Sequence, residues 1–305
     1  MGAENSKQTV VRVFGAAISV AFFGMLHIPS ATADDMVARG EYLTAAGGCY
    51  GCHTIPGDGN KPYAGGRALK TPFGVFYSPN ITPDGETGIG GWTDTQFLTA
   101  LKTGISPSGH PYFPVFPYTS YTKITDEDGL AIKAYLDSLP KVVQEDKGHE
   151  VSAPFSWRWL QWGWRLLFFN EGPYVAPEGA STEVARGGYL VDALTHCGEC
   201  HTPRNMFGGV DASLYLAGTP NGGEGEFVPN ITPDNATGIG EWSKGDIVSF
   251  MKTGLKPDYD DVQGSMEEVI EHSLSKLTEE DLTAIADYLK SIKPIKNVVK
   301  RASAS

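Results

Sequence analysis

Cysteine is scarce in this sequence, and basic charge is scarcer than acidic charge. The 305 residues include four cysteines, and all of them lie in two short segments near residues 50 and 200. No cysteine is left over for any other thiol site. The 24 Lys and Arg against 36 Asp and Glu give a net charge of −12. An acidic chain is a poor candidate for binding nucleic acid, and we expect no nucleic-acid partner.

Apolar runs long enough to span a membrane are missing after residue 33. Before it, Lys7 and Arg12 precede an apolar run over residues 13–28, and Ala-Thr-Ala at 31–33 offers an A-x-A cleavage site. This pattern predicts a secretory signal peptide over residues 1–33. The run is short for a membrane span, and an uncleaved anchor is the alternative. We therefore expect an exported protein in the periplasm, soluble or associated with the membrane surface.

The four cysteines form two copies of one motif, C-x-x-C-H, at residues 49–53 (CYGCH) and 197–201 (CGECH). Two thiols three positions apart can add to the two vinyl groups of one haem, and the adjacent His can supply a nitrogen to its iron. We predict two covalently bound haem c groups, with His53 and His201 as iron ligands. The attaching residues are Cys49, Cys52, His53, Cys197, Cys200 and His201.

Two other kinds of site also use closely spaced cysteines. A zinc site would need further Cys or His ligands nearby at a fixed spacing. A thioredoxin-like redox pair does not require the His that follows the second cysteine. Haem attachment explains the whole motif, and it agrees with the predicted export because cytochromes c mature outside the cytoplasm.

The rest of the chain is one unit that occurs twice. Each copy has a short helical stretch before the motif, a Gly- and Pro-rich loop after it, a middle helix that ends at a glycine, and a last helix that begins at a threonine. The matching pairs are ARGEYL (38–43) and ARGGYL (185–190), NITPD (80–84) and NITPD (230–234), TGIG (87–90) and TGIG (237–240), Trp92 and Trp242, Gly104 and Gly254, and Thr125 and Thr278.

Each half resembles a class I cytochrome c domain. The pair is similar to the diheme cytochromes c related to the cytochrome subunits of bacterial alcohol and gluconate dehydrogenases. The NITPD…TGIG-x-W block and the CHTPRN block (200–205) carry the match, which covers most of residues 35–293. The resemblance implies a mostly α fold and a role in passing electrons from a dehydrogenase toward quinone or the respiratory chain. Those relatives often hold a third haem, whereas this chain has two motifs.

The expected organisation is two tandem class I cytochrome c domains. Residues 34–140 form the first and 181–295 the second, with a linker over 141–180 and a tail over 296–305. The linker holds four of the six tryptophans. Its aromatic side chains either pack between the two domains or form a docking surface for a dehydrogenase or a membrane.

A class I domain usually completes its haem with a Met sulfur from the loop after the middle helix. In the second half, Met266 lies 24 residues after Trp242, and the resemblance implies that it is the sixth iron ligand. Core packing is the alternative role for this side chain. The same count from Trp92 reaches Phe116, which cannot bind iron, and no Met occurs between Met36 and Met206.

The first haem therefore has three candidate arrangements. Another side chain of the same loop binds the iron, with His110 favoured over Tyr112 and Lys123. Alternatively the distal side is open and covered by Phe116, or His149 or a residue of the other half reaches across. A haem without thioether ligation would have the lower potential, so electrons would pass from the first haem to the second.

Electron transfer is the expected function, as a subunit or partner of a periplasmic dehydrogenase. The alternative is a diheme oxidoreductase that transforms a small molecule at an open first haem. Apart from the missing Met, the sequence has no feature that indicates catalysis, so we expect a carrier and not an enzyme.

Overall fold

The described part of the chain is built mainly of short α-helices. The structure is a computed structural model, and it describes residue 1 and residues 32–57, 61–222 and 225–300. The mostly α fold expected from the sequence is confirmed. The predicted signal peptide falls largely on residues 2–31, outside the described residues, so its removal stays a prediction.

The first half contains five helices and a hairpin within these described ranges. In chain order they are α1 (Ala33–Ala46), α2 (Cys49–His53), β1 (Ala68–Thr71), β2 (Gly74–Tyr77), α3 (Asp94–Thr103), α4 (Tyr118–Tyr121) and α5 (Asp126–Ser138). The linker over residues 141–180, called the aromatic segment below, contributes β3 (Glu150–Val151) and α6 (Leu160–Phe168).

The second half repeats the helical part of this order. It contains α7 (Thr182–Tyr189), continued by a π-helical turn (Leu190–Leu194), then α8 (Gly198–His201), α9 (Lys244–Thr253), α10 (Ser265–His272) and α11 (Glu279–Ser291). Short 3-10 turns lie at Ala212–Leu214 and Leu274–Lys276. The match between α3 and α9 and between α5 and α11 makes the internal repeat visible in the fold.

The ends of these helices follow from local chemistry. Thr125 and Thr278 cap α5 and α11, because each side-chain oxygen accepts from an N–H that has no partner inside the helix. Gly104 and Gly254 end α3 and α9 in the left-handed conformation. The helix positions predicted from these residues are confirmed.

In each half the first helix packs closely against the last one. Gly40 of α1 allows this contact, because a Cβ there would lie 1.9 Å from the carbonyl oxygen of Ala131 in α5. Gly187 of α7 allows the same contact, because a Cβ there would lie 1.8 Å from the carbonyl oxygen of Ala284 in α11. The glycine of the repeated Ala-Arg-Gly block is thus explained by backbone-to-backbone packing.

The hairpin of the first half extends into the predicted linker. β1 and β2 pair antiparallel, with Ala68 opposite Tyr77 and Thr71 opposite Gly74. β3 adds to the other side of β2, with Val151 opposite Gly74. The start of the aromatic segment is therefore part of the first half's sheet.

The inner side of the aromatic segment contacts both halves. Arg158 donates to the carbonyl oxygen of Pro111 at 3.2 Å, and Trp164 donates from Nε1 to the carbonyl oxygen of Phe207 at 2.8 Å. These contacts support the packing role expected for the segment. None of the helices in the described ranges is both long and apolar enough to cross a bilayer.

The outer side of the segment is apolar and exposed. Trp159, Trp162, Leu166 and Leu167 recur at helical spacing along one side of α6, and all four are exposed. This outward stripe of large apolar side chains is unusual for a helix on a soluble domain.

Candidate functional site

The cysteines of each C-x-x-C-H motif lie on or beside one short helical turn. Cys49 and Cys52 are in α2, while Cys197 precedes α8 and Cys200 lies within it. In both motifs the first cysteine is half-buried and the second is exposed, and the four cysteines form no disulfide. Each motif thus offers two thiols on the same turn, as haem attachment requires.

The acidity of these thiols distinguishes attachment from redox chemistry. Burial raises the pKa of Cys49 to about 12, and it raises the pKa of Cys197 to about 11. A redox-active C-x-x-C pair depends instead on a thiol whose pKa is lowered. The protonated thiols therefore argue against a thioredoxin-like pair.

The two motif histidines are oriented by matching hydrogen bonds. His53 Nδ1 lies 2.8 Å from the carbonyl oxygen of Pro79, and His201 Nδ1 lies 2.9 Å from that of Pro229. Burial lowers the pKa of both rings, and the bond to the carbonyl acts in the opposite direction. A neutral ring that donates from Nδ1 keeps the lone pair on Nε2 for a metal. The predicted iron ligands thus have the tautomer that the role needs.

A close backbone approach brings each carbonyl to its histidine. Gly65 has a φ of +75°, and a Cβ there would lie 2.4 Å from the carbonyl of Pro79. The Gly65 N–H donates to the carbonyl oxygen of His53 at 2.8 Å. Gly218 has a φ of +81°, and a Cβ there would lie 2.6 Å from the carbonyl carbon of Pro229. Its N–H donates to the carbonyl oxygen of His201 at 2.7 Å. The loop after each motif is therefore folded back onto the histidine that it supports.

The repeated NITPD block holds these loops in place. The Asn80 side chain accepts from the Thr82 N–H at 2.9 Å and donates to the carbonyl oxygen of Val142 at 2.8 Å. Asn230 makes the same pair of bonds, to Thr232 and to Ile295, at 2.9 and 2.8 Å. Each Asn immediately follows the proline whose carbonyl binds the histidine, so the block fixes the acceptor.

Phe116 and Met266 occupy equivalent positions in the two halves. The Tyr112 N–H donates to the carbonyl oxygen of Gly104 at 2.7 Å, and the corresponding bond of Val262 to Gly254 is 2.9 Å. Phe116 and Met266 each lie four residues further on. Both are half-buried and pack against the core.

Phe116 lies on the attachment side of the first half. Its ring centroid is 5.8 Å from that of Tyr121, whose hydroxyl donates to the carbonyl oxygen of Gly47 at 2.8 Å. Gly47 is two residues before Cys49. The aromatic ring at the Met position is thus connected to the haem-attachment turn.

His110 lies at the tip of an exposed turn. Its backbone bonds to Ser106, and its side chain borders a cleft of about 270 Å³ together with Arg158, Trp159 and Trp162. The equivalent turn of the second half carries Asp260. His110 is thus equivalent to Asp260, which was not predicted, and the shared cleft places it beside the aromatic segment. Ligation by His110 stays a prediction without support from its surroundings.

His149 and Tyr112, two other candidates for the first haem, lie in surroundings that do not favour ligation. The Nδ1 atom of His149 accepts from the Tyr77 N–H at 3.1 Å, and its ring packs on Phe76 and Phe113. Burial raises the pKa of Tyr112 to about 12, which disfavours the phenolate that would bind iron. The three arrangements for the first haem stay predictions.

Each attachment turn lies against a helix of the other half. α10 packs on α2, where the rings of His272 and Tyr50 are 4.8 Å apart. In the reverse direction, Ser120 donates to the Glu199 carboxylate of the CGECH motif at 2.6 Å. Each half therefore covers the attachment turn of the other.

Comparison with known proteins agrees with this geometry. The sequence profile described as Cytochrome c matches residues 37–140. The chain is 44% identical over 262 residues to a "Diheme cytochrome c-type" protein of Cereibacter sphaeroides, covering 85% of this chain and 86% of the relative. The chain belongs to the cytochrome c family. Covalently bound haem c is accordingly its cofactor, and the thiols and the histidine tautomers described above fit that group.

Two further relatives of this cytochrome are subunits of larger enzymes. It is 40% identical over 267 residues to the gluconate 2-dehydrogenase cytochrome c subunit of Pantoea cypripedii, covering 85% of this chain and 60% of the relative. It is 38% identical over 279 residues to the alcohol dehydrogenase (quinone) cytochrome c subunit of Gluconobacter oxydans, with shares of 88% and 57%. The chain therefore spans somewhat more than half the length of these two subunits.

Proposed function

We propose that this cytochrome holds two haem c groups and carries electrons from a dehydrogenase toward the respiratory chain. The observation that carries the proposal is the duplicated set of C-x-x-C-H turn, oriented histidine and proline carbonyl. The relatives named as dehydrogenase subunits support the donor, and the "diheme" relative supports the count of two.

Export to the periplasm is part of the same proposal. Its support is the charged and apolar pattern of residues 1–33 together with the need to attach haem outside the cytoplasm. Mass spectrometry of the purified protein tests both points in one measurement. A chain that begins near Asp34 and carries two haems would agree, and a full-length chain with two haems would show the uncleaved anchor instead. A chain with a single haem would contradict the proposal.

The two haems are proposed to be unequal. Met266 would close the second haem with its sulfur, and Phe116 would cover an open distal side at the first. Thioether ligation raises a haem potential, so the first haem would be the lower in potential and would pass its electron to the second. A redox titration that gives two equal potentials would contradict this order.

The alternative function is small-molecule redox chemistry at the first haem. One observation favours it: the side chain at the Met position is a phenylalanine, which leaves no protein ligand there. Turnover of a small donor by the isolated protein would support the enzyme. Inertness of the isolated protein, combined with reduction by a dehydrogenase that co-purifies with it, would support the carrier.

Carbon monoxide separates the two haems experimentally. In the dithionite-reduced protein we expect about half of the haem absorption to shift on adding carbon monoxide, since only an open iron binds it. His110→Ala should leave that fraction unchanged. Met266→Ala should make the absorption of the second haem shift too. If nothing shifts in the unmodified protein, the first haem is closed by a second protein ligand.

Contact with a membrane surface is proposed from the outward stripe of α6. Tryptophan and leucine side chains on one helix face are typical of the membrane–water interface. Flotation with phosphatidylcholine vesicles should recover the protein, and the pair Trp162→Ser and Leu166→Ser should abolish that recovery. Val175→Ser, at an exposed apolar residue outside the stripe, is the control. Equal recovery of all three proteins, or of none, would contradict the contact.

A further inference from the structure

The repeated Ala-Arg-Gly-x-Tyr block has a polar function in addition to its helix packing. Arg39 of α1 donates from Nε to the Asp128 carboxylate of α5 at 2.9 Å, within the first half. The hydroxyl of Tyr189, from the second half, donates to the other oxygen of the same carboxylate at 2.5 Å. One buried aspartate is thus bound by an arginine of its own half and a tyrosine of the other.

The second half makes the equivalent set of bonds, with the parts of the two halves exchanged. Arg186 of α7 binds the Asp281 carboxylate of α11 through two bonds of 2.8 and 2.7 Å. The hydroxyl of Tyr42, from the first half, donates to that carboxylate at 2.6 Å. The two tyrosines are the fourth residues of equivalent Arg-Gly-x-Tyr blocks, so the exchange is reciprocal.

Each tyrosine oxygen also accepts a hydrogen bond across the same boundary. The Thr125 N–H donates to the Tyr189 hydroxyl at 3.2 Å, and the Thr278 N–H donates to the Tyr42 hydroxyl at 3.3 Å. These threonines cap α5 and α11. Each tyrosine therefore joins the start of the last helix of the opposite half.

These hydrogen bonds matter for stability because both carboxylates are buried. Asp128 is 2% exposed and Asp281 is 9% exposed. A carboxylate at such a depth needs all of its partners, because removing one leaves charge in a low-dielectric surrounding without compensation. The Tyr hydroxyls are the partners that depend on the two halves staying together.

The boundary that these bonds close also contains the haem-attachment segments. Ser273 donates to the carbonyl oxygen of Ala46 at 3.1 Å, just before the CYGCH motif. Thr119 donates to Glu199 of the CGECH motif at 2.7 Å. The segments around both haem sites therefore meet at the boundary that the tyrosines span.

We propose that Tyr42 and Tyr189 are positioning residues that clamp the two attachment segments against each other, so that electrons exchange between the haems within one molecule. The inference rests on the proposed presence of two haems. The exchange moves one electron from a ferrous to a ferric iron, and it makes or breaks no covalent bond.

The test compares variants of the full-length holoprotein. The pair Tyr42→Phe and Tyr189→Phe deletes both hydroxyls with little change in volume. The pair Tyr42→Asp and Tyr189→Asp places a second carboxylate against each buried one, and like charges at such a distance repel strongly. Tyr288→Phe is the matched control, because its hydroxyl lies 3.2 Å from Asp192 inside the second half.

Two readouts are measured. Amide hydrogen exchange at Thr125 and Thr278 should become roughly two- to tenfold faster in the Phe pair, the ordinary worth of one lost neutral hydrogen bond, and should not change in Tyr288→Phe. In the partly reduced protein, exchange cross-peaks between haem-methyl NMR lines report electron exchange. They should be present in the unmodified protein and in Tyr288→Phe, and lost in the Asp pair.

Three results would overturn the inference. Unchanged amide exchange in the Phe pair is one, and retained cross-peaks in an Asp pair that binds both haems is another. Missing cross-peaks in the unmodified protein is the third. If the Asp pair does not fold, the amide exchange of the Phe pair decides. None of these measurements uses a dehydrogenase, so a failure to accept electrons from one would contradict the proposed function and leave the clamp intact.

Discussion

Replacing Gly65 by alanine is expected to weaken the support of His53 and to destabilise the protein. The new Cβ would lie 2.4 Å from the carbonyl carbon and oxygen of Pro79 and 2.6 Å from the oxygen of Ser78. Both neighbours are backbone atoms, which cannot rotate away. The Pro79 carbonyl must therefore move, and it is the acceptor for His53 Nδ1.

The magnitude can be separated into two parts. An alanine at a φ of +75° costs about 1–2 kcal/mol wherever it occurs. Displacing the loop weakens the bonds of His53 Nδ1 to Pro79 and of the Gly65 N–H to His53, each worth about 0.5–1.5 kcal/mol. We expect a total loss of about 2–5 kcal/mol in the free energy of unfolding.

Gly179 provides the matched control. It has a φ of +73°, and no atom lies within 4 Å of a Cβ placed there, so Gly179→Ala should show only the conformational cost of about 1–2 kcal/mol. Guanidinium unfolding of the holoprotein, followed by circular dichroism and haem absorption, measures both variants. An equal loss in the two variants would refute the argument that the carbonyl is displaced.

Three further predictions use single substitutions. Phe116→Met should abolish carbon monoxide binding at the first haem and raise its potential, since a thioether would then close it; an unchanged spectrum would show that the side chain cannot reach the iron. Gly218→Ala should destabilise the second half as Gly65→Ala does the first, and unfolding transitions measure it; a loss no greater than that of Gly179→Ala would contradict the equivalence of the two loops. Burial alone would raise the pKa of Asp281, but the bonds from Arg186 and Tyr42 hold that pKa below its usual value of 3.8. The stability that the Asp281 carboxylate contributes is therefore present above pH 3.8 and is lost as the pH falls below it. Asp281→Asn should therefore reduce stability at neutral pH and flatten its acid limb, and a parallel pair of pH–stability curves would contradict the assignment.

The sequence was sufficient for the parts of the fold that depend on local chemistry. A few neighbouring residues are enough to predict the caps at Thr125 and Thr278, the glycine stops and the paired motifs. Each of these patterns occurs in both halves, so each prediction has two independent examples. The same is true of the cysteine spacing and the histidine that follows it.

The contacts that complete the site join residues far apart in the chain. The support of His53 by the carbonyl of Pro79 depends on the approach of Gly65, and the approach is visible only once the loop is folded. The position of Gly65 and Gly218 as equivalent glycines before the two NITPD blocks was the available signal. For His110, proximity in sequence to Phe116 favours a role as ligand, and only the fold shows that its turn also borders the aromatic segment.

The difference between the two halves extends beyond Phe116 and Met266. The single turn α4 begins two residues after Phe116, whereas Met266 lies in the first turn of the longer α10, which packs on α2. The two halves thus share the machinery that attaches haem and orients the proximal histidine, and they diverge where the distal loops begin. Since potential is set chiefly by the axial ligands and their surroundings, divergence at this place would change the proposed potentials without disturbing attachment. A duplicated domain can in this way become a directional pair of carriers.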